Sequence, residues 1–348
     1  MDLSMDMTFA EAEQAVAARV AEADIVLPVG SGTHHEVGGP VLGGTEVRAP
    51  TGIVTYDPAE LTVTVGAGTT VEELSAVLGD AEQECALDPR DPAATVGGTL
   101  ACGLSGSRRL RYGPLRDRVL EVRFANAEGA LVRGGGPTVK NVTGYDMPRL
   151  LVGSLGTLGV LTRVILRCQP RSLHALWGVT DQTPADVLAT CFRPSTVFWA
   201  GASTSVLLEG YEKDVELQAR AVGLEPCSGP PSLPEGAHRG RASVEPAKVA
   251  ALGAELTAID GVRWLAECGV GTVHVACDDE RDLTAARHAA ESVGGWMLRE
   301  AGAPGLDGFG IALPNAALMA RVKEAFDPSG KFAPGRFPFP PVVREAAG

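Results

Sequence analysis

Apolar and polar positions alternate along the first half of the chain in short blocks. Thr8-Phe9-Ala10-Glu11 has the form of a capping box, in which the first residue's hydroxyl and the fourth residue's carboxylate satisfy each other's backbone amides. It predicts a helix running to about Ala23. The apolar run 25–29 predicts a buried strand, and three further strand-like pieces follow at 46–49, 53–56 and 61–65. The last alternates cleanly, with Leu61, Val63 and Val65 on one face and Thr62 and Thr64 on the other. Thr70 with Glu73 makes a second capping box, opening a helix to about Leu78. Residues 119–125 and 131–133 predict a hairpin around Glu128-Gly129, 148–152 a helical turn, and 160–168 a strand rich in β-branched residues.

The pattern changes near Pro170. Strands are expected at 175–179, 197–200, 205–208, 262–266, 270–276 and 295–298, and helices at 184–191, 212–222, 246–258, 280–293 and 315–326. Residues 226–241, dense in Pro and Gly, read as a mobile loop or internal linker. This order predicts an α+β layer, an antiparallel sheet with helices on one face.

Between the two halves of that pattern lies a stretch with few side chains able to fill a core, from Pro89 to Gly113. Its glycines at 97, 98, 103, 106 and 113 let the backbone take positive φ and approach a partner closely. Bare backbone N–H groups there could face an anion. Loops beyond about 12–15 residues without structure of their own are uncommon unless functional or disordered. This one is too apolar for disorder.

Composition narrows the picture. The chain has 348 residues, room for two domains, and 45% are hydrophobic, enough for real cores. A net charge of −13 argues against general nucleic-acid binding, which needs clustered Lys and Arg. Seven cysteines are scattered without a C-x-x-C pair, which removes the usual zinc and iron–sulfur spacings and suits a reduced thiol environment. Cys102, inside the glycine-rich stretch, reads as a small residue packed against a ligand rather than a reactive thiol. With an acidic start and no apolar run long enough to span a bilayer, the expected location is cytoplasmic, with no membrane span.

Two phosphate-binding schemes fail on the residues. Gly30-Ser31-Gly32 follows a strand, but His35 stands where a dinucleotide fingerprint needs its third glycine, and no helical pattern follows. The small-residue cluster 153–159 lacks the Lys-Ser/Thr of a P-loop.

Six motifs nevertheless stand in order: Pro-x-Gly-x-Gly-Thr at 28–33, Tyr-Asp-Pro-Ala-Glu-Leu-Thr-Val-Thr-Val-Gly-Ala-Gly at 56–68, Thr-Val-Gly-Gly-Thr-Leu-Ala at 95–101, Tyr-Gly-Pro-Leu-Arg-Asp at 112–117, Lys-Asn-Val-Thr-Gly-Tyr-Asp at 140–146, and Gly-Ser-Leu-Gly-Thr-Leu-Gly-Val-Leu-Thr at 153–162. The ordered set resembles the FAD-binding domain of the vanillyl-alcohol oxidase/p-cresol methylhydroxylase (PCMH) superfamily. Within that superfamily it is most similar to the FAD-binding subunits of bacterial glycolate oxidase (glycolate dehydrogenase). The closing Phe-Asp-Pro-x-Gly-x-Phe-x-Pro-Gly-Arg at 326–336 belongs to the same resemblance. The resemblance covers about residues 25–171 and, locally, 325–336.

It implies an α+β fold: a two-subdomain PCMH-type FAD-binding domain over 1–171, an α+β cap domain with an antiparallel sheet over 172–326, and a C-terminal segment, 327–348, returning to the FAD domain. It also implies the cofactor contacts. Pro28, Gly30, Ser31, Gly32, Thr33 and His34 would form the first pyrophosphate loop. Pro89, Thr95, Val96, Gly97, Gly98, Ala101, Cys102, Gly103, Ser105 and Gly106, with Gly113 and Asp117, would run along the pyrophosphate and flavin edge. Gly144, Tyr145, Asp146, Gly153, Gly159 and Val160 would close over the cofactor. Lys140 is an anion contact or a solvated loop lysine, and Arg336 would reach back to the flavin domain. Relatives carry Asn where Ala333 stands, and the covalent-attachment histidine of some relatives falls on Thr33, so the expected FAD is non-covalent.

The functional expectation is an FAD-binding oxidoreductase subunit of a glycolate (2-hydroxy acid) oxidase complex, passing electrons from substrate through flavin to an iron–sulfur subunit, beside a companion flavin subunit. The alternatives are an autonomous FAD-dependent oxidase or dehydrogenase of another hydroxy acid or alcohol, and a non-catalytic flavin-binding scaffold. The His-x-Gly-Asp-Gly-Asn-type motif of related dehydrogenases is absent, and no catalytic acid, base or metal site is identified. His274 reads as a packed strand histidine. The basic run Arg108, Arg109, Arg111, Arg116 and Arg118 fits a phosphate, a substrate carboxylate, a partner subunit or a solvated face.

Overall fold

A computed structural model describes residues 3–39, 43–137, 145–310, 313 and 315–336. The chain divides into two units. The first comprises residues 1–106, 114–171 and 313–348, the second 107–113 and 172–312. Secondary-structure labels run in chain order across both.

In the first unit, α1 (Leu3–Glu22) leads to β1 (Val26–Pro28), which pairs in parallel with β2 (Thr45–Val47). Five antiparallel strands form its main sheet: β3 (Ile53–Asp57), β4 (Thr62–Gly66), β8 (Val160–Arg167), β6 (Val119–Ala125) and β7 (Leu131–Gly135), in that spatial order. The alternation read in β4 puts Val63 and Val65 wholly inside, against Val122, Val164 and Leu166. α2 (Val71–Gly79) closes this core through Leu74 and Leu78. It starts where its capping box predicts, with the Glu73 amide donating to Thr70 Oγ1 at 3.1 Å and the Thr70 amide to Glu73 Oε2 at 2.9 Å. The short strands β5 (Gln83–Glu84) and β9 (Gln169–Pro170) pair with each other, and α3 (Val96–Cys102) and α5 (Met147–Leu151) complete the unit with α10 (Ala316–Phe326). α1 is tied down by Glu13, fully buried, which pairs with Arg123 and Arg163 and accepts from the Thr162 hydroxyl at 2.8 Å. A buried carboxylate is tolerable only with such partners.

The second unit is an eight-stranded sheet whose pairs are all antiparallel. Its order is β13 (Glu225–Pro226), β10 (His174–Thr180), β12 (Thr204–Gly210), β11 (Thr196–Trp199), β15 (Arg263–Glu267), β16 (Thr272–Cys277), β14 (His238–Ser243) and β17 (Trp296–Ala301). Val197, Val206, Leu208, Ala242, Ala266, Val273, Val275 and Met297 share one face. They pack against α6 (Pro184–Thr190), α7 (Glu212–Ala221), α8 (Val249–Thr257) and α9 (Glu280–Ser292). Residues between them in the strands point to the opposite face, because strand side chains alternate. A single helical turn, α4 (Arg109–Tyr112), belongs to this unit and is bound to it through Glu209.

Several elements differ from the sequence reading. Helix α1 begins at Leu3, so Thr8 and Glu11 lie inside it and form no cap. Leu61 has φ of 53° and is the turn residue before β4 rather than its first position. Residues 238–241 are not a linker but the first four residues of β14, with 239–241 paired on both sides. Segment 107–113 groups with the second unit, and α10 groups with the first rather than with the cap. There Phe326 stacks on Phe124 at 6.4 Å, and the Lys323 ammonium donates to the Thr157 and Phe332 carbonyls.

Candidate functional site

The glycine-rich stretch is not a loop throughout. Thr95 caps α3, its Oγ1 accepting from the Gly98 amide at 3.1 Å, and Gly103 ends the helix in the left-handed region at φ of 68°. The first-turn amides are consumed inside the protein: Val96 donates to Thr69 O and Gly97 to Ala67 O at 2.7 Å. A Cβ on Gly97 would stand 2.9 Å from Ala67 Cβ and O, so this glycine is required by packing. The expectation of bare amides at Gly97 and Gly98 is therefore corrected. At the other end of α3 a Cβ on Gly103 would stand 2.8 Å from Gly153 Cα, and the Gly153 and Leu155 amides donate to the Leu100 and Ala101 carbonyls. The two small-residue clusters thus lock together.

The loop after β1 behaves differently. Among the described residues no group accepts from the amides of Gly30, Ser31, Gly32 or Thr33. Gly32 has φ of +86° and open space where a side chain would begin. A run of exposed amides in a turn of this kind is an anion-binding concavity. The loop is held from behind. Gly30 lies against the Thr95 side chain so closely that a Cβ would stand 2.1 Å from Thr95 Oγ1, and the Arg48 guanidinium donates to Gly30 O. Arg336, buried, donates from Nη2 to His35 O at 2.9 Å and from Nη1 to Leu155 O at 3.1 Å, fastening this loop to the 153–159 cluster. Burial pulls the Arg336 pKa down, opposed by the field of Cys102. The segment carrying Arg336 is itself pinned beside β1, with the Val26 amide donating to Lys331 O and the Ala333 amide to Val26 O.

A narrow cleft of about 40 Å³ runs between these parts, lined by Pro28, Val29, Gly30, Val47, Ala49, Ala67, Gly68, Thr95, Gly97, Ala101, Gly156, Gly159, Val160 and Leu161. No lining side chain is larger than leucine, so a ligand there meets backbone and apolar surface. A large cofactor would lie along this wall rather than inside it. The residues fit FAD on two counts: the 30–33 amides suit its pyrophosphate, and the small apolar wall suits close backbone approach to a flat ring system.

Of the residues singled out from sequence, Pro28, Gly30, Thr95, Gly97, Ala101, Gly159 and Val160 share this cleft. Ser31, Thr33 and His34 form a chain of polar contacts in the same loop, with Thr33 Oγ1 3.0 Å from His34 Nδ1. Val96 is fully buried and Cys102 nearly so. Ser105 Oγ accepts from the Leu115 amide, and Gly106 packs on Asp88, the residue before Pro89. Asp146 caps α5, accepting from the Arg149 amide at 3.0 Å, while Tyr145 is 92% exposed. Asp117 is exposed beside Arg116, and Gly113 groups with the second unit. Lys140 and Gly144 lie outside the described residues. Sequence reasoning missed Val29, Val47, Ala49, Ala67, Gly68 and Leu161. The Gly-Ala-Gly after β4 was the available signal for two of them.

Comparison with known proteins agrees with this geometry. The model of a family described as FAD binding domain matches residues 8–135. Glycolate oxidase subunit GlcE of Escherichia coli (strain K12) is 44% identical over 150 residues, covering 42% of this chain and 43% of that protein. Glycolate oxidase subunit GlcD of Bacillus subtilis (strain 168) is 34% identical over 223 residues, covering 59% and 46%. A mitochondrial cytochrome-type D-lactate dehydrogenase of Arabidopsis thaliana is 33% identical over 143 residues, covering 40% and 23%. The chain thus spans less than half the length of these relatives. Among solved structures, alkyldihydroxyacetonephosphate synthase superposes with a TM-score of 0.66 at 14% identity, covering 93% of this chain and 74% of that one, which shows a shared fold. Residues 8–135 are an FAD-binding domain, and FAD is its cofactor.

Proposed function

We propose that this chain is a flavin-binding subunit of a complex that oxidises a small 2-hydroxy acid such as glycolate and delivers the electrons to an iron–sulfur partner. The observation that carries the reading is the 30–33 loop, whose amides find no acceptor among the described residues, in a chain 44% identical over 150 residues to a glycolate oxidase subunit. FAD, when bound, supplies the hydride-accepting chemistry, and the chain supplies its place. Gly30, Ser31, Gly32 and Thr33 hold the pyrophosphate by their backbone amides. Arg336 keeps that loop in register with the 153–159 cluster, and the apolar wall from Ala49 to Leu161 excludes water. Thr33 offers a hydroxyl rather than a ring nitrogen, so the cofactor is held without a covalent bond. The sequence has no C-x-x-C pair, which fits electron transfer onward to a separate iron–sulfur protein.

The relationship to D-lactate dehydrogenases supports a second reading, an autonomous hydroxy-acid dehydrogenase. One set of measurements separates them. The purified chain is expected to be yellow, to release its flavin into the supernatant on acid precipitation, and to be bleached by glycolate only when its partners are added. Bleaching by the single chain with a dye as acceptor would favour the autonomous enzyme. A colourless protein that cannot be reconstituted with FAD would overturn both.

A further inference from the structure

The second unit is built from two halves of one pattern. β10-α6-β11-β12-α7-β13 and β14-α8-β15-β16-α9-β17 follow the same order along the chain. In the sheet they also read alike from the outside in, β13-β10-β12-β11 and β17-β14-β16-β15. The halves join where β11 meets β15, with Phe198 opposite Glu267 and Trp199 opposite Ala266. α6 and α8 are the equivalent first helices of the two halves. A cavity of about 570 Å³ lies over this seam, lined by the start of α6 and Leu188, by Trp199, by Val249 and Ala250 of α8, and by Cys268. That volume is in the range of small-molecule sites, about 300–1,000 Å³.

The aromatic surface in the cavity is held in place by the protein. The Trp199 ring meets that of Trp264 edge to face, with centroids 5.3 Å apart and planes at 68°. Gly253 lets α8 sit on both rings: a Cβ there would stand 2.7 Å from Trp264 Cη2 and 2.9 Å from Trp199 Cζ3. Trp199 is nevertheless only half-buried. The charge of the lining is one-sided. No Lys, Arg or His lines the cavity, and Asp181 contributes a carboxylate. Asp181 is exposed and has no cationic partner among the described residues. Burial pushes the Cys268 thiol up to about 12, so it stays neutral. An indole face and a carboxylate both attract a cation and repel an anion.

We propose that this cavity is a binding site for a flat aromatic molecule bearing an alkylammonium group, with the ring system against Trp199, Leu188 and Val249 and the ammonium taken by Asp181. The site lies on the helix-covered face of the sheet, and it stands independently of the hydroxy-acid reading. A ring system suits the rigid apolar floor, and the lining carries no group that would recognise an anion. Because α6 and Trp199 come from one half and α8 and Cys268 from the other, the ligand bridges the seam. A ligand that binds only the folded chain stabilises it, so occupancy raises the unfolding temperature.

Tryptamine, tryptophol and indole-3-acetate test this, because they share one indole ring and differ in the charge of the side chain. The full-length FAD-loaded protein is titrated with each by calorimetry. Tryptamine is expected to bind at least about 10-fold more tightly than indole-3-acetate, with tryptophol between them. Asp181→Asn should bring tryptamine to the level of tryptophol. Ala250→Trp, at an exposed position of α8 that lines the cavity, should fill it and abolish binding of all three. It should also abolish the rise in unfolding temperature that tryptamine gives the unaltered protein. Flavin content should be unchanged in both variants. Failure of tryptamine to bind the unaltered protein at about 10 mM overturns the proposal without needing any variant. So does indole-3-acetate binding as tightly as tryptamine. An Asp181→Asn protein that keeps the full preference, or a flavin-loaded Ala250→Trp protein that still binds tryptamine, overturns it as well.

Discussion

Two glycine-containing segments of the first unit look alike in sequence and do opposite things. Pro28 to His34 and Thr95 to Gly103 both mix Gly with Ser or Thr, and both line the same cleft. In the first, the amides of Gly30 to Thr33 have no acceptor among the described residues. In the second, the amides of Val96, Gly97 and Gly98 are spent on Thr69 O, Ala67 O and Thr95 Oγ1. One segment uses glycine to leave its donors facing out of the protein. The other uses it to let a helix approach the Ala67 turn closely enough to form the wall behind that loop. Glycine content therefore marks close approach, and only the count of backbone hydrogen bonds says what is approached.

The hardest blow to this contrast would come from Gly97. In Gly97→Val the new Cβ meets Ala67 Cβ and O at 2.9 Å, and the branched methyls have no room. Overpacking of this kind costs about 3 kcal/mol. Thermal unfolding of the FAD-free protein is expected to fall by about 10 °C. FAD binding should be lost only as a consequence of that unfolding. A variant with unchanged thermal stability that has lost FAD would mean that Gly97 touches the cofactor and that the two segments are alike after all.

Gly32 gives the complementary, smaller effect. Its φ of +86° is strained for any side chain, yet nothing lies within 4 Å of a Cβ there. Gly32→Ala therefore adds conformational strain of about 1–2 kcal/mol and no clash. Because the loop amides have no partner among the described residues, the strain should appear mainly when the loop is held against an anion. FAD affinity measured by flavin fluorescence is expected to weaken about 10-fold, with the unfolding temperature of the FAD-free protein little changed. A drop in that temperature at constant FAD affinity would make this loop structural and erase the distinction.

How far the sequence showed this depends on whether the signal is local. The Thr70 and Glu73 box, the 119–135 hairpin and the β-branched run from Val160 are written in neighbouring residues, and they appear in the structure nearly where expected. Helix α3 was hidden because Gly97 and Gly98 are poor helix formers. What selects them is the Ala67 turn, distant in sequence. Strand β14, His-Arg-Gly-Arg-Ala-Ser, carries no β-branched residue. Its core-facing positions, Gly240 and Ala242, are small because Met297 and its neighbours leave no space, which no local pattern reveals. The 30–33 loop could be named as a phosphate candidate from its motif. Its partnership with Arg336, 301 residues from His35, could be seen only once the C-terminal segment was placed beside β1. Glu267 and His274 are seven apart on two adjacent strands, a pairing that becomes visible only with the register.

The smallest effect tests whether structural and cofactor-binding roles are separable at the point where they come closest. Thr70 and Thr95 face each other in an isolated antiparallel bridge, so the caps of α2 and α3 adjoin. Thr70→Ala removes the α2 box and should cost about 1 kcal/mol. The effect is also pH-dependent. The Thr70 backbone amide, and then its side chain, stabilise the ionised Glu73 and hold its carboxyl below its ordinary value of 4.5. A carboxyl depressed in the folded state contributes stability that is fully present above the unfolded value and is lost as pH falls through the folded one. The difference in unfolding temperature between the unaltered protein and Glu73→Gln should therefore be constant at neutral pH, begin to shrink below about 4.5, and vanish at lower pH. Glu73 is exposed, so solvent screening keeps the difference small. Throughout, FAD affinity at neutral pH should stay unchanged in Thr70→Ala and Glu73→Gln. If it fell with the cap, strain would be passing across the Thr70–Thr95 bridge into the Gly30 loop that Thr95 supports, and the wall and the cradle would have to be treated as one device.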